Sequence, residues 1–144
     1  MAWGESNAVA FCNSVLGART NRNGDFLDIS AALTGRAPYY GLHVAENRLA
    51  TVVVDTDGLS ARLKDEEAFY PVLGAWLGAE VAGAVAVFDG LPADMPEDRL
   101  KALGAGAAST GAVGLFHVAG ATPEALTLEA ALGGRVADHR IALT

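Results

Sequence analysis

Between Glu5 and Arg22 the sequence reads ESNAVAFCNSVLGARTNR, a run of amides, hydroxyls, a carboxylate, a thiol and two guanidinium groups. Ser6 and Asn7 stand where Val9, Cys12, Val15 and Leu16 begin to recur at three- and four-residue spacing, the pattern of a helix. A helix starting there presents free backbone N–H groups and the positive end of its dipole. An anionic group can then be held by the Ser6 hydroxyl and the first amides, with Glu5 beside it. Gly17 ends the helix, and Ala18-Arg19-Thr20-Asn21-Arg22 follows. Guanidinium forks match the two oxygens of a carboxylate or the face of a phosphate. Glu5, Ser6, Asn7, Arg19, Thr20, Asn21 and Arg22 together form a candidate oxyacid-binding set. The same residues also fit plainer roles, with Ser6 and Asn7 as helix caps and Arg19 and Arg22 paired on the surface with Asp25 and Asp28.

Three further side chains could do chemistry. Cys12 falls on the apolar stripe of its helix, where a thiol packs as a small hydrophobe and is inert. His43 and His117 lie in apolar segments, where a hydrogen-bonded structural imidazole is the ordinary outcome. A Cys-His nucleophilic pair would need one of them beside Cys12, and no local motif supports it. The acidic run Asp65-Glu66-Glu67 reads as the first turn of a helix.

These groups must be positioned by the elements around them. The spacing predicts helices over 6–16, 26–33, 65–78, 97–108 and 123–132, and strands over 40–44, 50–55, 83–88, 112–118 and 139–143. The two strands flanking Glu46-Asn47-Arg48 read as an antiparallel hairpin. Farther on, helices alternate with continuous apolar strands such as ATVVV, GAVAVF and GAVGLF, the pattern of parallel crossovers covered on both faces. The predicted fold is α/β: a layered helix-sheet-helix unit with a mixed, mostly parallel sheet and an antiparallel hairpin, in a single domain over 1–144. In open α/β sheets ligands sit at the carboxyl ends of strands, so the loops at 89–92 and 119–123 are candidate ligand loops, though Gly and Pro there also fit ordinary turns. No Walker or dinucleotide glycine motif is present, and GAGAAST lies within or after a helix instead of following a strand.

Bulk properties narrow the function. A chain of 144 residues can bury a substantial core. Its formal charge of −7, with scattered Lys and Arg, excludes a nucleic-acid role, which needs a dense basic face. No apolar run reaches the length of a membrane span and no leader pattern follows Met1. The expectation is a cytoplasmic protein, with no membrane partner, that binds small molecules or proteins. One cysteine cannot close a disulfide within the chain, nor by itself build a zinc or iron–sulfur site.

ESNAVAFCNSVLGARTNR, GDFLDISAALTGRAPYYGLHVAENRLATVVV, YPVLGAWLG, LPADMPEDRLKALGAGAASTGAVGLFHVAG and TPEA resemble the catalytic part of aconitase X. This divergent branch of the aconitase superfamily dehydrates hydroxy acids such as a hydroxyproline or a phosphorylated mevalonate. The resemblance spans nearly the whole chain. It implies a hydro-lyase in which an iron–sulfur cluster or iron centre acts as Lewis acid on the leaving hydroxyl, a hydroxy-acid substrate with a lean toward hydroxyproline, and, as partner, the remainder of an aconitase X chain or a small swivelling subunit or domain. Glu5 and Ser6 match positions implied to contact substrate, and Arg19 to Arg22 match the strongest signature, with no catalytic step assigned to any one residue. The family's CTPY-like cysteine motif upstream and its cluster cysteines downstream are not in this sequence, and Cys12 stands where the family often has alanine. The expectation is therefore an internal segment of a larger enzyme, with Met1 an artificial, alternative or misassigned start. Such a segment would supply substrate contacts but no metal ligand and would be inactive alone. The competing expectation is a self-standing, non-catalytic anion-binding subunit that works with separate polypeptides.

Overall fold

A computed structural model of the protein describes residues 5–144, the side chain of Asp25 excepted. In chain order the elements are α1 (Ser6–Ser14), α2 (Asp25–Thr34), two 3-10 turns (Gly41–His43 and Ala45–Arg48), β1 (Val52–Asp55), α3 (Ala61–Asp65), α4 (Phe69–Val81), β2 (Ala86–Asp89), α5 (Glu97–Thr110), β3 (Phe116–Val118), α6 (Leu128–Leu132) and β4 (His139–Ala142). The strands form one sheet of order β3-β2-β1-β4 in which every pairing is parallel. Parallel crossovers are right-handed. Helices α4 and α5, which connect strands stepping in one direction, therefore share a face, while α6 lies on the other, on the return from one edge to the opposite one.

The strand residues divide accordingly. Val52, Val54, Ala86, Phe88, Phe116 and Val118 pack with Tyr70, Leu73, Leu77, Leu100 and Leu103 of α4 and α5 in the larger core. Each such buried side chain stabilises the fold by roughly 1.5–3 kcal/mol relative to exposure. Val53, Val87 and Leu115 face the other way, against Ala125 and Ala131, in a smaller cluster. Helices α4 and α5 meet through glycine: a Cβ on Gly74 would run into the Leu103 carbonyl oxygen, and one on Gly106 into that of Pro71. Helix α2 behaves differently. None of its described side chains is buried, with Phe26 78% and Leu33 83% exposed.

Three expectations are corrected. The α/β class holds, but the antiparallel hairpin does not form, and the sheet is wholly parallel instead of mixed: β1 is flanked by β2 and β4, and residues 41–48 are turns. Asn21 takes the backbone groups a strand ladder would need there, accepting from Leu42 N–H at 2.6 Å and donating to the Tyr40 carbonyl at 3.0 Å. The acidic run is not a helix start. Helix α3, capped by Ser60, ends at Asp65, and Glu66 and Glu67 precede α4, where Arg99 of α5 reaches Glu67 at 3.2 Å and the Asp65 carbonyl at 2.8 Å. The helix expected over 123–132 shortens to α6, because Thr127 caps it by accepting from Ala130 N–H at 3.0 Å and Thr122 holds the preceding residues in a turn on Val118.

Candidate functional site

The site is built outward from the end of α1. Gly17, with φ +67°, turns the chain out of the helix, and Ala18 N–H bonds back to the Cys12 carbonyl at 2.9 Å, a glycine-terminated helix end. Asn13, 1% exposed, fastens the returning loop. Its amide donates to the carbonyls of Thr20 and Gly114, and its oxygen accepts from Thr20 N–H, each at 2.9 Å. Ser14 accepts from Phe116 N–H at 3.0 Å. The loop is thus tied to the segment entering β3, so Arg22 emerges at the amino ends of β2 and β3.

There the Arg22 guanidinium donates to Ser6 Oγ at 2.8 Å and to the Gly111 carbonyl at 3.0 Å. A guanidinium carries five N–H groups, so these two bonds orient it without exhausting it. Arg22 and Asn23 form the wall shared by two hollows. One, of about 400 Å³, is also lined by Asn21, Tyr40, Leu42 and Gly114, and the other, of about 210 Å³, by Ser6 and Val9. Both lie at the opposite end of the strands from the loops at 89–92 and 119–123.

The other sequence-predicted residues divide in role. Thr20 and Asn21 are both buried, and the Asn21 amide is spent on the 40–42 turn. Gly41 sits at φ +55°, and a Cβ there would lie 2.7 Å from Asn21 Oδ1. Glu5 and Asn7 are exposed, and Asn7 Oδ1 accepts from Ala8 N–H at 2.9 Å. Glu5 is the N-cap of α1 without a side-chain cap bond, so the expected Ser6 cap gives way to the bond from Arg22. Arg19 is exposed and acts on the charge of Glu124. Of the surface pairing considered for these arginines, the Asp25 side chain lies outside the described residues, and Asp28 accepts from Asn23 at 3.0 Å.

Sequence reasoning missed the group that holds all this in place. Arg48, expected in the polar turn of a hairpin, is 1% exposed. Its Nε donates to both oxygens of Glu124 at 2.9 and 2.8 Å, and its Nη2 also meets that carboxylate. Nη1 donates to the Leu42 carbonyl at 2.9 Å and Nη2 to the Ala18 carbonyl at 3.0 Å. His117 Nε2 lies 2.8 Å from the Arg48 carbonyl and therefore donates to it, leaving Nδ1 buried without a partner. Burial pushes the His117 imidazole below its ordinary pKa; the bond to the Arg48 carbonyl and the Glu124 charge resist that shift without reversing it. Burial also pushes the Glu124 carboxyl up, but the hydrogen bonds and charge of Arg48, aided by His117 and Arg19, outweigh it and hold Glu124 below its ordinary value. Arg48 and Glu124 are 76 residues apart, and no local spacing links them.

The described residues do not by themselves build a metal centre. Among the described residues no group of three or more His, Cys, Asp or Glu could hold a metal ion, and Cys12 is the sole cysteine of the sequence. No described helix is long and apolar enough to cross a membrane.

The chain is a parallel α/β layer with an arginine- and amide-lined hollow at the amino ends of its strands. Both parts of the chain match one family, the Aconitase X first domain over residues 1–46 and the Aconitase X second domain over 50–144, and the chain belongs to the aconitase X family. It is similar to the cis-3-hydroxy-L-proline dehydratase of Pseudomonas aeruginosa, with 48% identity over 94% of this chain and 23% of that protein. It is also similar to the phosphomevalonate dehydratase large subunit of Thermococcus kodakarensis, with 48% identity over 86% of this chain and 31% of that protein. The crystal structure of Thermococcus kodakaraensis aconitase X in its holo-form superposes with a TM-score of 0.81 at 42% identity, covering 99% of this chain and 34% of that one. The chain thus spans between about a quarter and a third of the length of these relatives.

Proposed function

We propose that this chain is the substrate-wall portion of an aconitase X type hydro-lyase that removes water from a small hydroxy acid. The observation that carries the reading is Arg22, oriented by Ser6 Oγ and the Gly111 carbonyl in the wall shared by the two hollows. A guanidinium so held offers directed donors to a carboxylate, and the dipole of α1 adds favourable potential from the Ser6 side. Ser6 and Arg22 make the direct contacts. Thr20 and Asn21 hold the backbone of that wall, and Glu5, Asn7 and Arg19 lie at its exposed margin. The substrate class follows from the relatives, whose names specify a hydroxyproline and a phosphorylated mevalonate. An iron–sulfur or iron centre and the remaining substrate contacts would come from the rest of an aconitase X protein, as a longer chain or as a separate small subunit, in the cytoplasm. The chain alone binds but does not dehydrate.

The test is a nuclear magnetic resonance titration of the chain with cis-3-hydroxy-L-proline and, separately, inorganic phosphate. Shifts at Ser6, Asn21 and Arg22 that vanish in Arg22→Met support the reading. Identical titrations of wild type and Arg22→Met would overturn it. Iron-dependent loss of water catalysed by the purified chain would overturn the claim that the chemistry needs other parts of the protein.

A further inference from the structure

Arg48 occupies the short stretch between the two matched family segments, 1–46 and 50–144. Its guanidinium joins them. The carbonyls of Ala18 and Leu42, and that of Asn13 at 3.3 Å, belong to the first segment, and Glu124 belongs to the second. We infer that the ion pair of buried Arg48 with half-buried Glu124 is a positioning clamp that sets the substrate wall by fixing loop 18–22 and turn 40–42 against the sheet.

The physical ground is the cost of burying a charge. A guanidinium 1% exposed is tolerated only where its N–H groups are matched and its charge is neutralised. Here Glu124 neutralises it from one side and backbone carbonyls surround it on the other, so the position of Glu124 dictates where the Ala18 and Leu42 carbonyls come to rest. Those carbonyls belong to the two segments that carry the wall. Ala18 is four residues before Arg22, and Leu42 is the residue whose N–H the Asn21 side chain grips. Asn13 Oδ1, 3.4 Å from Arg48 Nη1, carries the same constraint to Thr20 N–H. His117 adds a fixed point from β3 by bonding the Arg48 carbonyl. Lysine cannot substitute, because one ammonium cannot reach a carboxylate and carbonyls on two separated segments in a planar fork.

The clamp rests on the reading of Arg22 as a substrate contact, and one experiment separates the two ideas. Amide hydrogen exchange is followed in the wild-type chain and in the Glu124→Gln, Arg48→Lys and Arg48→Met variants, each with a parallel phosphate titration. The clamp predicts that the Thr20 and Leu42 amides exchange about tenfold or more faster in Glu124→Gln and Arg48→Lys, while the Thr56 amide, bonded to the Asp89 carbonyl at 2.9 Å, and those of α4 and α5 keep their wild-type rates. A pair that only supports global stability would speed all these amides by one common factor, and that result overturns the clamp. So does wild-type protection in Arg48→Lys. Glu124 is 29% exposed and Glu124→Gln keeps an amide oxygen to accept from Arg48, so the comparison does not depend on whether Arg48→Met folds. The exchange ratio decides the clamp whether or not phosphate binds, whereas a wild-type chain that shifts with neither phosphate nor cis-3-hydroxy-L-proline overturns the substrate reading by itself.

Discussion

At the residue scale the site depends on groups whose partners are distant in sequence. Arg22→Lys keeps the charge but loses the fork that spans Ser6 and Gly111, so affinity for a carboxylate probe should fall about tenfold while thermal stability stays within roughly 0.5 kcal/mol of wild type. Titration and a melting curve on the same sample check this. Asn13→Ala should instead cost about 2–4 kcal/mol of stability, because four bonds are lost and the Thr20 and Gly114 carbonyls are left unpaired in a buried place. Denaturant titration reads that loss directly. pH acts through two groups with the same sign. His117 is harder to protonate when folded, so its contribution is complete above its ordinary value of 6.5 and is lost as pH falls below it. Glu124 is held below its ordinary value of 4.5, so its contribution is complete above that pH and is lost as pH falls through its lower folded value. Stability should therefore be level from pH 7 to 8, decline below about 6.5, and fall more steeply below about 4.5. A curve in His117→Gln that is still level at pH 5.5 would assign the first decline to the imidazole.

At the element scale, the packing of α4 on α5 admits no side chain at its closest point. Gly74→Ala should cost roughly 3 kcal/mol or more, since its methyl meets backbone that can yield only by separating the helices. Gly41→Ala should cost less in global stability but should disturb the Asn21 grip on Leu42, visible as faster exchange of that amide, because it combines a left-handed backbone with contact on Asn21 Oδ1. These elements also show what was legible beforehand. The parallel crossovers were readable, because strands buried on both faces are continuous apolar runs and β1, β2 and β3 carry them. Helix α1 was readable from Val9, Cys12 and Val15. The 41–48 turns were not, since Tyr40 to Val44 has the composition of a strand and is diverted by an amide twenty residues earlier and a buried guanidinium just after. For the site, residue types marked Ser6 and Arg22. Only the folded chain could divide them from Asn21, whose amide serves the backbone of the 40–42 turn, and from Thr20, whose backbone Asn13 holds, or expose Arg48 and Glu124, which in sequence look like two ordinary surface charges.

At the scale of the whole molecule, helix α2 of the described chain is left without cover. Phe26 and Leu33 of α2, with Tyr39 and Tyr40 just beyond it, stand 73–87% exposed, an apolar surface of the kind that associates. The isolated chain should self-associate as its concentration rises, and Phe26→Glu with Leu33→Glu should abolish that without shifting the melting curve by more than about 0.5 kcal/mol. Sedimentation velocity of both forms checks it. Sequence separation in the site has a further consequence, for birth instead of binding. Asn13 is tied to Gly114, 101 residues later, and Ser14 to Phe116, 102 residues later. During synthesis at about 5–20 residues per second, the segment that begins the site must therefore wait roughly 5–20 s for the residues that hold it. Through that interval segment 5–22 lacks the residues that fix it, and the recognition surface cannot exist before Gly114 and Phe116 have been made.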